Sequence, residues 1–427
     1  MTVRLRLVEK QVVVLTGASS GIGLATARAL ADRGARLVLV ARNKSALQDL
    51  ARECSAKGAR AIAVAGDVGR FEDMERVAEA TIREFGGFDT WINNAGVAIF
   101  GTVEQVPIED HRRLFDTNYF GVLYGCLIAA KHLRQRGGKI INIGSVLSDR
   151  ADILQGPYSA SKHAVKGLTD ALRMELEEDG APISVTLIKP SAIDTPYMEH
   201  ARSYMTSPGT KNPPPSYDPE VAARAIVFAC ENDRRDIVVG FGGWALAAMG
   251  SIAPRLTDYA MEVGGRILQE STDPGRPERR DNLHEPREDG AERSSLPGGS
   301  RKTSLFLEAQ LNPVSAVPGM VLSTLAGAGL AALRKLRPVD STFTSTPFQE
   351  INNPVHEGRE DGGEQSSLAR GALASRQSLQ GELNAKSAVP GVALAALAGA
   401  GLIAMQMLRT RGSTSSSPQH KPTPRRR

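Results

Sequence analysis

The sequence predicts an α/β fold, a doubly wound parallel sheet forming one domain over residues 8–262, ahead of a tail of different composition. Three observations carry this. Short β-branched or aliphatic runs alternate with helical stretches of ten or more residues. A glycine-rich turn comes after the first run and opens the first helix. Beyond about residue 260 the chain shifts to Gly, Ser, Pro, Arg and Glu, broken by two apolar runs.

Gln11–Leu15 reads as the first strand, a continuous apolar run of the kind buried on both faces. Leu24–Arg33 has helical apolar spacing and stops at Gly34, an expected C-cap. Strands are expected at Leu37–Val40, Ala61–Val64, Trp91-Ile92, Lys139–Ile143, Ser184–Ile188 and Ile237–Val239. Helices are expected at Ser45–Lys57 and Glu72–Phe85. Strand–helix alternation with right-handed crossovers places helices on both faces of a parallel sheet.

The 427-residue chain carries a net charge of +5, part of it in Lys421–Arg427. Such a basic end attracts anionic lipid or nucleic acid but is more often simply solvated, and no nucleic-acid partner is expected. Cys54, Cys126 and Cys230 are odd in number and widely spaced. They form neither a disulfide framework nor a metal-ligand pattern, so a reducing, cytoplasmic setting is expected and no metal. Met1–Lys10 has no apolar core of a signal peptide.

The turn reads Thr16-Gly17-Ala18-Ser19-Ser20-Gly21-Ile22-Gly23 between a strand and a helix. That is the context of a dinucleotide loop. Gly17 permits the tight turn, and Gly21 and Gly23 let backbone approach a pyrophosphate and the helix pack on the sheet. The helix N-terminus presents free N–H groups to an anion.

The Gly-x3-Gly-x-Gly spacing, together with the motifs downstream of it, resembles the short-chain dehydrogenase/reductase family, a Rossmann-type fold. The resemblance covers about 230 to 250 residues. It implies that Asp67-Val68 contacts adenine, that Asn94, Ala95 and Gly96 lie beside the cofactor, and that Asn118 belongs to a proton relay. It further implies that Pro190 to Thr195, with Ile193 between them, form the turn over the nicotinamide. Ser145, then Tyr158 thirteen residues on and Lys162 four further, match the catalytic set. In that family the lysine also grips the nicotinamide ribose, and subunits commonly pair through the helices of Asn118 and Tyr158, so a homodimer or homotetramer is expected.

The chemistry of those residues can be argued independently. Reducing a carbonyl needs a proton donor at the developing alkoxide, and a phenol near pKa 10 needs tuning to serve. Pro157 reads as a helix-start residue, so Tyr158 and Lys162 share a face at i, i+4. The ammonium is expected to lower the phenol's pKa. Ser145 is expected to hydrogen-bond the substrate oxygen, and Asn118 to hold a water that refills the proton through Lys162. A lone Tyr-x-x-x-Lys is usually a surface pair; Ser145 and Asn118 at these distances reverse that.

The second strand ends Val40-Ala41-Arg42-Asn43, without the acidic residue that suits a ribose 2′-hydroxyl. Arg42 can pair with a 2′-phosphate, so NADP(H) is expected ahead of NAD(H), although Ser20 replaces a basic residue common in NADP-dependent members. Ser191 stands where the family usually has Gly, which costs something if the position needs positive φ. Pro196–Asp218 is long and aperiodic, reads as a flexible lid, and its Met and Tyr favour an apolar carbonyl or alcohol.

The tail is expected to be largely disordered with two apolar helices. Residues 263–310 read as a polar linker, 311–337 as an apolar helix, 338–383 as a second linker, 384–410 as a second apolar helix and 411–427 as a basic end. Two copies of one unit recur at an offset of 72 residues: His284–Gly290 as His356–Gly362, and Ser315–Gly319 as Ser387–Gly391. Val314–Leu333 and Ser387–Leu408 are uncharged and long enough to reach about 30 Å as helices. Peripheral or anchored membrane association is the first expectation, with self-association or docking onto the domain as alternatives. The competing view of the whole chain is a nucleotide-binding scaffold whose tail does the biological work.

Overall fold

Every strand of the sheet can be read from a run of apolar side chains that alternate between two cores. The computed structural model describes residues 3–205, 209–271, 280–287, 290–296 and 298–312. Its strands are β1 (Val12–Thr16), β2 (Arg36–Ala41), β3 (Ala61–Ala65), β4 (Thr90–Asn93), β5 (Gly138–Ile143), β6 (Ile183–Pro190) and β7 (Asp236–Val239). They form a seven-stranded parallel sheet in the order β7-β6-β5-β4-β1-β2-β3. The order reverses between β1 and β4, the switch point where α/β sheets bind ligands.

The helices are α1 (Gly21–Asp32), α2 (Lys44–Ala56), α3 (Phe71–Phe85), α4 (Ile108–Phe115), α5 (Gly121–Leu133), α6 (Gly156–Glu178), α7 (Tyr197–His200), α8 (Pro219–Glu231), α9 (Phe241–Ile252), α10 (Pro254–Gln269) and α11 (Leu305–Leu311). Val13, Leu15, Leu37 and Leu39 face the core under α1, α2 and α8. Val12, Val14, Val38 and Val40 face the other, under α3, α5 and α6. Residues one apart point to opposite faces, and both faces are covered, so the strands read as unbroken apolar runs. The expected strands and the helices at α2 and α3 stand within two residues of their predicted spans. α1 begins three residues earlier than its periodicity suggested, because Gly21–Gly23 are already helical.

The polar linker expected at 263–310 is a correction. Residues 263–269 complete α10, and the described part of 280–312 is built onto the domain, within one compact unit, Met1–Ala316. Leu283 and Leu307 are fully buried. The short strand Ser300–Arg301 pairs in parallel with Ser216–Tyr217, and Phe306 of α11 rests on Phe241 and Trp244 of α9. Charged residues of the segment are spent on the domain: Asp281 on Arg202 (2.9 Å), His284 on Asp110 (2.9 Å), Glu292 on Arg28 (2.5 Å) and Arg293 on Asp218 (3.0 Å). Composition alone read those charges as solvated. The apolar runs, the second repeat copy and the basic end lie outside the described residues. Among the described residues no helix is long and apolar enough to cross a membrane.

Candidate active site

The glycine turn is locked by its neighbours. Gly17 has φ +66°, and a Cβ there would stand 2.7 Å from Ala95 Cα; one on Gly23 would stand 2.0 Å from the Gly17 carbonyl oxygen. Only glycine lets these backbones meet. Asn94 ties the arrangement together, its Nδ2 donating to the carbonyls of Thr16 (3.0 Å) and Gly17 (3.1 Å). Ser20 is the N-cap of α1 without a side-chain capping bond, Ile22 packs on the core below, and the Ser19 carbonyl faces Gly290.

The groups expected for catalysis converge. Ser145 comes directly after Gly144 at the end of β5 and caps a short 3₁₀ turn, Val146–Ser148, with Oγ accepting from the Leu147 N–H (3.1 Å). Tyr158 sits in the first turn of α6, within hydrogen-bond reach of Ser145 and Tyr197. Lys162, one turn on, is 4 % exposed, and its Nζ lies 5.7 Å from the Tyr158 ring centroid. Gly96, exposed, looks onto the same place: a Cβ there would stand 3.5 Å from Asn118 Oδ1 and 3.8 Å from Lys162 Nζ.

The expected effect of Lys162 on the phenol needs correction. Lys162 donates to the Ile143 carbonyl (2.9 Å), and burial pushes it down to about 8. The phenol is not depressed on balance. Burial pushes Tyr158 up to about 12, against smaller opposing effects of its bonds to Tyr197 and Ser145. The side chain of Asn118 is held by the protein: Oδ1 accepts from the Val97 N–H (2.9 Å), and Nδ2 donates to the Val97 carbonyl (3.0 Å) and Ser161 Oγ (3.0 Å). It sits in a π-helical turn, Asp116–Phe120, between α4 and α5, a distortion frequent at functional sites.

The adenosine side differs most from expectation. Arg42 donates from Nη1 to the carbonyls of Leu283 (3.3 Å) and His284 (3.1 Å), and from Nη2 to that of Asn282. Gly21, at the start of α1, donates its N–H to the Ala291 carbonyl (3.0 Å). Asp67 accepts from Arg113 (2.6 Å), which also donates to the Leu283 carbonyl (3.0 Å). Val68 is buried under α5 beside Gly121. Arg113 lies in no motif, and the residues from 280 on, although His284–Gly290 opens a repeat, were read as a polar linker rather than as part of the site.

Beyond Pro190, the last residue of β6, Ser191 carries no strain. Leu154 is the only described non-glycine residue at positive φ, and Ser191 instead donates to the Val239 carbonyl (2.7 Å). Ile193 is buried, and Thr195 reaches the glycine turn, 3.1 Å from where a Gly21 Cβ would be. The expected lid, in its described part, packs inward. Tyr197 stacks edge-on to Tyr158 at 5.5 Å and donates to Gln155 (3.1 Å), while Tyr204 and Arg202 both bond Asp110 (2.5 and 2.9 Å). Tyr197 is a site residue that the sequence offered only as one of the lid residues favouring an apolar substrate, not as a neighbour of Tyr158.

The glycine cradle and the open backbone at Gly96 suit a dinucleotide lying across the switch point. Comparison with known proteins agrees. The short chain dehydrogenase family model matches residues 11–205. The uncharacterized oxidoreductase YxnA of Bacillus subtilis (strain 168) is 43% identical over 323 residues, covering 74% of this chain and 91% of that protein. Dehydrogenase/reductase SDR family member 7B of Bos taurus is 32% identical over 264 residues, 58% of this chain and 79% of that one. A short chain dehydrogenase/reductase from Burkholderia phymatum, solved in complex with NAD, superposes with a TM-score of 0.52 at 27% identity, covering 58% of this chain and 94% of that one.

Proposed function

Because the chain belongs to the short-chain dehydrogenase family, an oxidoreductase family that binds nicotinamide cofactors, we propose that it interconverts a small apolar carbonyl and its alcohol using NADP(H), with Tyr158 as general acid and base. The observation that carries this is the convergence of Ser145, Tyr158 and Lys162 on the space beside Gly96. The bound nicotinamide would supply the two-electron transfer.

The chain's own residues do the rest. Ser145 Oγ and Tyr158 Oη donate hydrogen bonds to the substrate oxygen, stabilising negative charge as it develops. Burial keeps the Tyr158 proton in place at neutral pH, the state a proton donor to an alkoxide needs. The Lys162 ammonium, held by Ile143, places positive charge near the phenolate left after transfer. Tyr197 and the apolar cluster of Val97, Ile99 and Leu283 against which Tyr158 rests keep water away and favour an apolar substrate. Cofactor preference rests on Arg42 and on the missing acid at the end of β2.

The test is NADPH oxidation, monitored by absorbance, against a panel of carbonyls. Tyr158→Phe should lower turnover by about 10²- to 10⁴-fold while NADPH binding is retained. Normal turnover in that variant would overturn the assignment of the acid. Faster turnover with NADH would overturn the cofactor preference.

A further inference from the structure

The end of β2 opens on a cleft of about 550 Å³ whose wall comes from two distant parts of the chain. The β2–α2 turn gives Arg42, Asn43 and Lys44, and the segment after α10 gives Arg280 and Glu285. Three cations stand there against one carboxylate, a net charge of +2. The cleft also lies at the start of α2, where the helix dipole favours an anion. A phosphate monoester carries about −1.5 to −2 at neutral pH and matches that balance.

Arg42 is prepared for such a ligand. A guanidinium has five N–H donors. The carbonyls of Asn282, Leu283 and His284 take three, which fixes the plane of the group and leaves Nε–H and one Nη2–H. Burial disfavours the charge of Arg42, a cost that an adjacent dianion removes. The segment presenting Arg280 is anchored next door, through Asp281 to Arg202, the buried Leu283, and His284 to Asp110. Arg280 pairs with Glu285, while Lys44 has no ion-pair partner among the described residues. A phosphate entering the cleft would take over the pairing that Glu285 now provides.

We propose that Arg280 and Lys44 join Arg42 in gripping a phosphate monoester in this cleft. On the cofactor reading above, on which this rests, that group is the 2′-phosphate of NADP(H). The segment after α10 then supplies a residue of cofactor specificity that the sheet and its helices lack.

The test is equilibrium binding to the full chain, by protein fluorescence or calorimetry, of NADPH, NADH, 2′,5′-ADP and inorganic phosphate. Arg280→Ala and Lys44→Ala should each weaken NADPH and 2′,5′-ADP by about tenfold and leave NADH within about twofold. Glu285→Gln should tighten NADPH. Unchanged NADPH affinity in Arg280→Ala, or an equal loss for NADH, would overturn the proposal. Inorganic phosphate competing with NADPH as strongly as 2′,5′-ADP does would overturn the nucleotide as the source of the phosphate. If Arg42→Ala loses NADPH affinity and Arg280→Ala does not, only the part played by the segment fails. A wild-type chain that prefers NADH, with Arg42→Ala unchanged, defeats the cofactor preference itself.

Discussion

The middle of the sheet and the segment after α10 reach the same arginine by opposite routes. β1, β2 and β4 bury nearly every side chain, and their order comes from continuous alternation between two cores. The described part of 280–312 has little regular structure and is held by separated points: Leu283, Leu307, Phe306 and a set of ion pairs. The difference teaches that a stretch polar in composition can be as fixed as a strand when a few side chains find buried seats. It also places function on both sides, since Arg42 leaves β2 and is oriented by carbonyls of the segment.

The largest effect that would break this comparison is at a single anchor. Leu283→Ala should destabilise the domain by about 2–5 kcal/mol, the usual cost of emptying a buried leucine seat. Chemical denaturation would measure it. A true linker would show no change, and that result would return the segment to solvent.

A second variant sharpens the sheet side. Lys162 is depressed to about 8 by burial, below its ordinary 10.5. A lysine depressed in the folded state costs stability below pH 8, and the cost is relieved as pH rises from 8 to 10.5. Lys162→Met should therefore raise stability at about pH 7, with the gain shrinking by about pH 9.5, although activity is lost. Tyr158, raised from 10 to about 12, acts the other way. Its contribution is full below pH 10 and disappears only as pH climbs through 12, outside the window tested. A gain independent of pH would mean that Lys162 is not buried as a cation.

These tests fall where sequence reading was weakest. The fold class, the glycine turn and the spacing of Ser145, Tyr158 and Lys162 were legible, because they obey local periods or fixed intervals. Tyr197 was seen only as a lid residue favouring an apolar substrate, since its contact with Tyr158 crosses 39 residues of chain. The direction of the Tyr158 shift was misread because sequence shows that a lysine is near in the helix but not that the hydroxyl is buried. Arg42 was legible as a cation but not as one already oriented, because its partners are backbone carbonyls some 240 residues away. Backbone acceptors carry no residue signature at all.

The smallest expected effect separates anchoring by burial from anchoring by charge. Arg28 on α1 holds Glu53 (2.8 Å) and Glu292 (2.5 Å), so the segment's last contact before Arg293 is a shared ion pair. Arg28 is partly exposed and is paired with Glu53 as well as with Glu292. Pairs of that kind contribute about 0–1 kcal/mol. Glu292→Gln should therefore change stability by less than about 1 kcal/mol, and the change should fade at high salt, unlike that of Leu283→Ala. A loss as large as the leucine's would mean that the segment is positioned by charge, and its hold on Arg42 and Gly21 would then weaken with ionic strength.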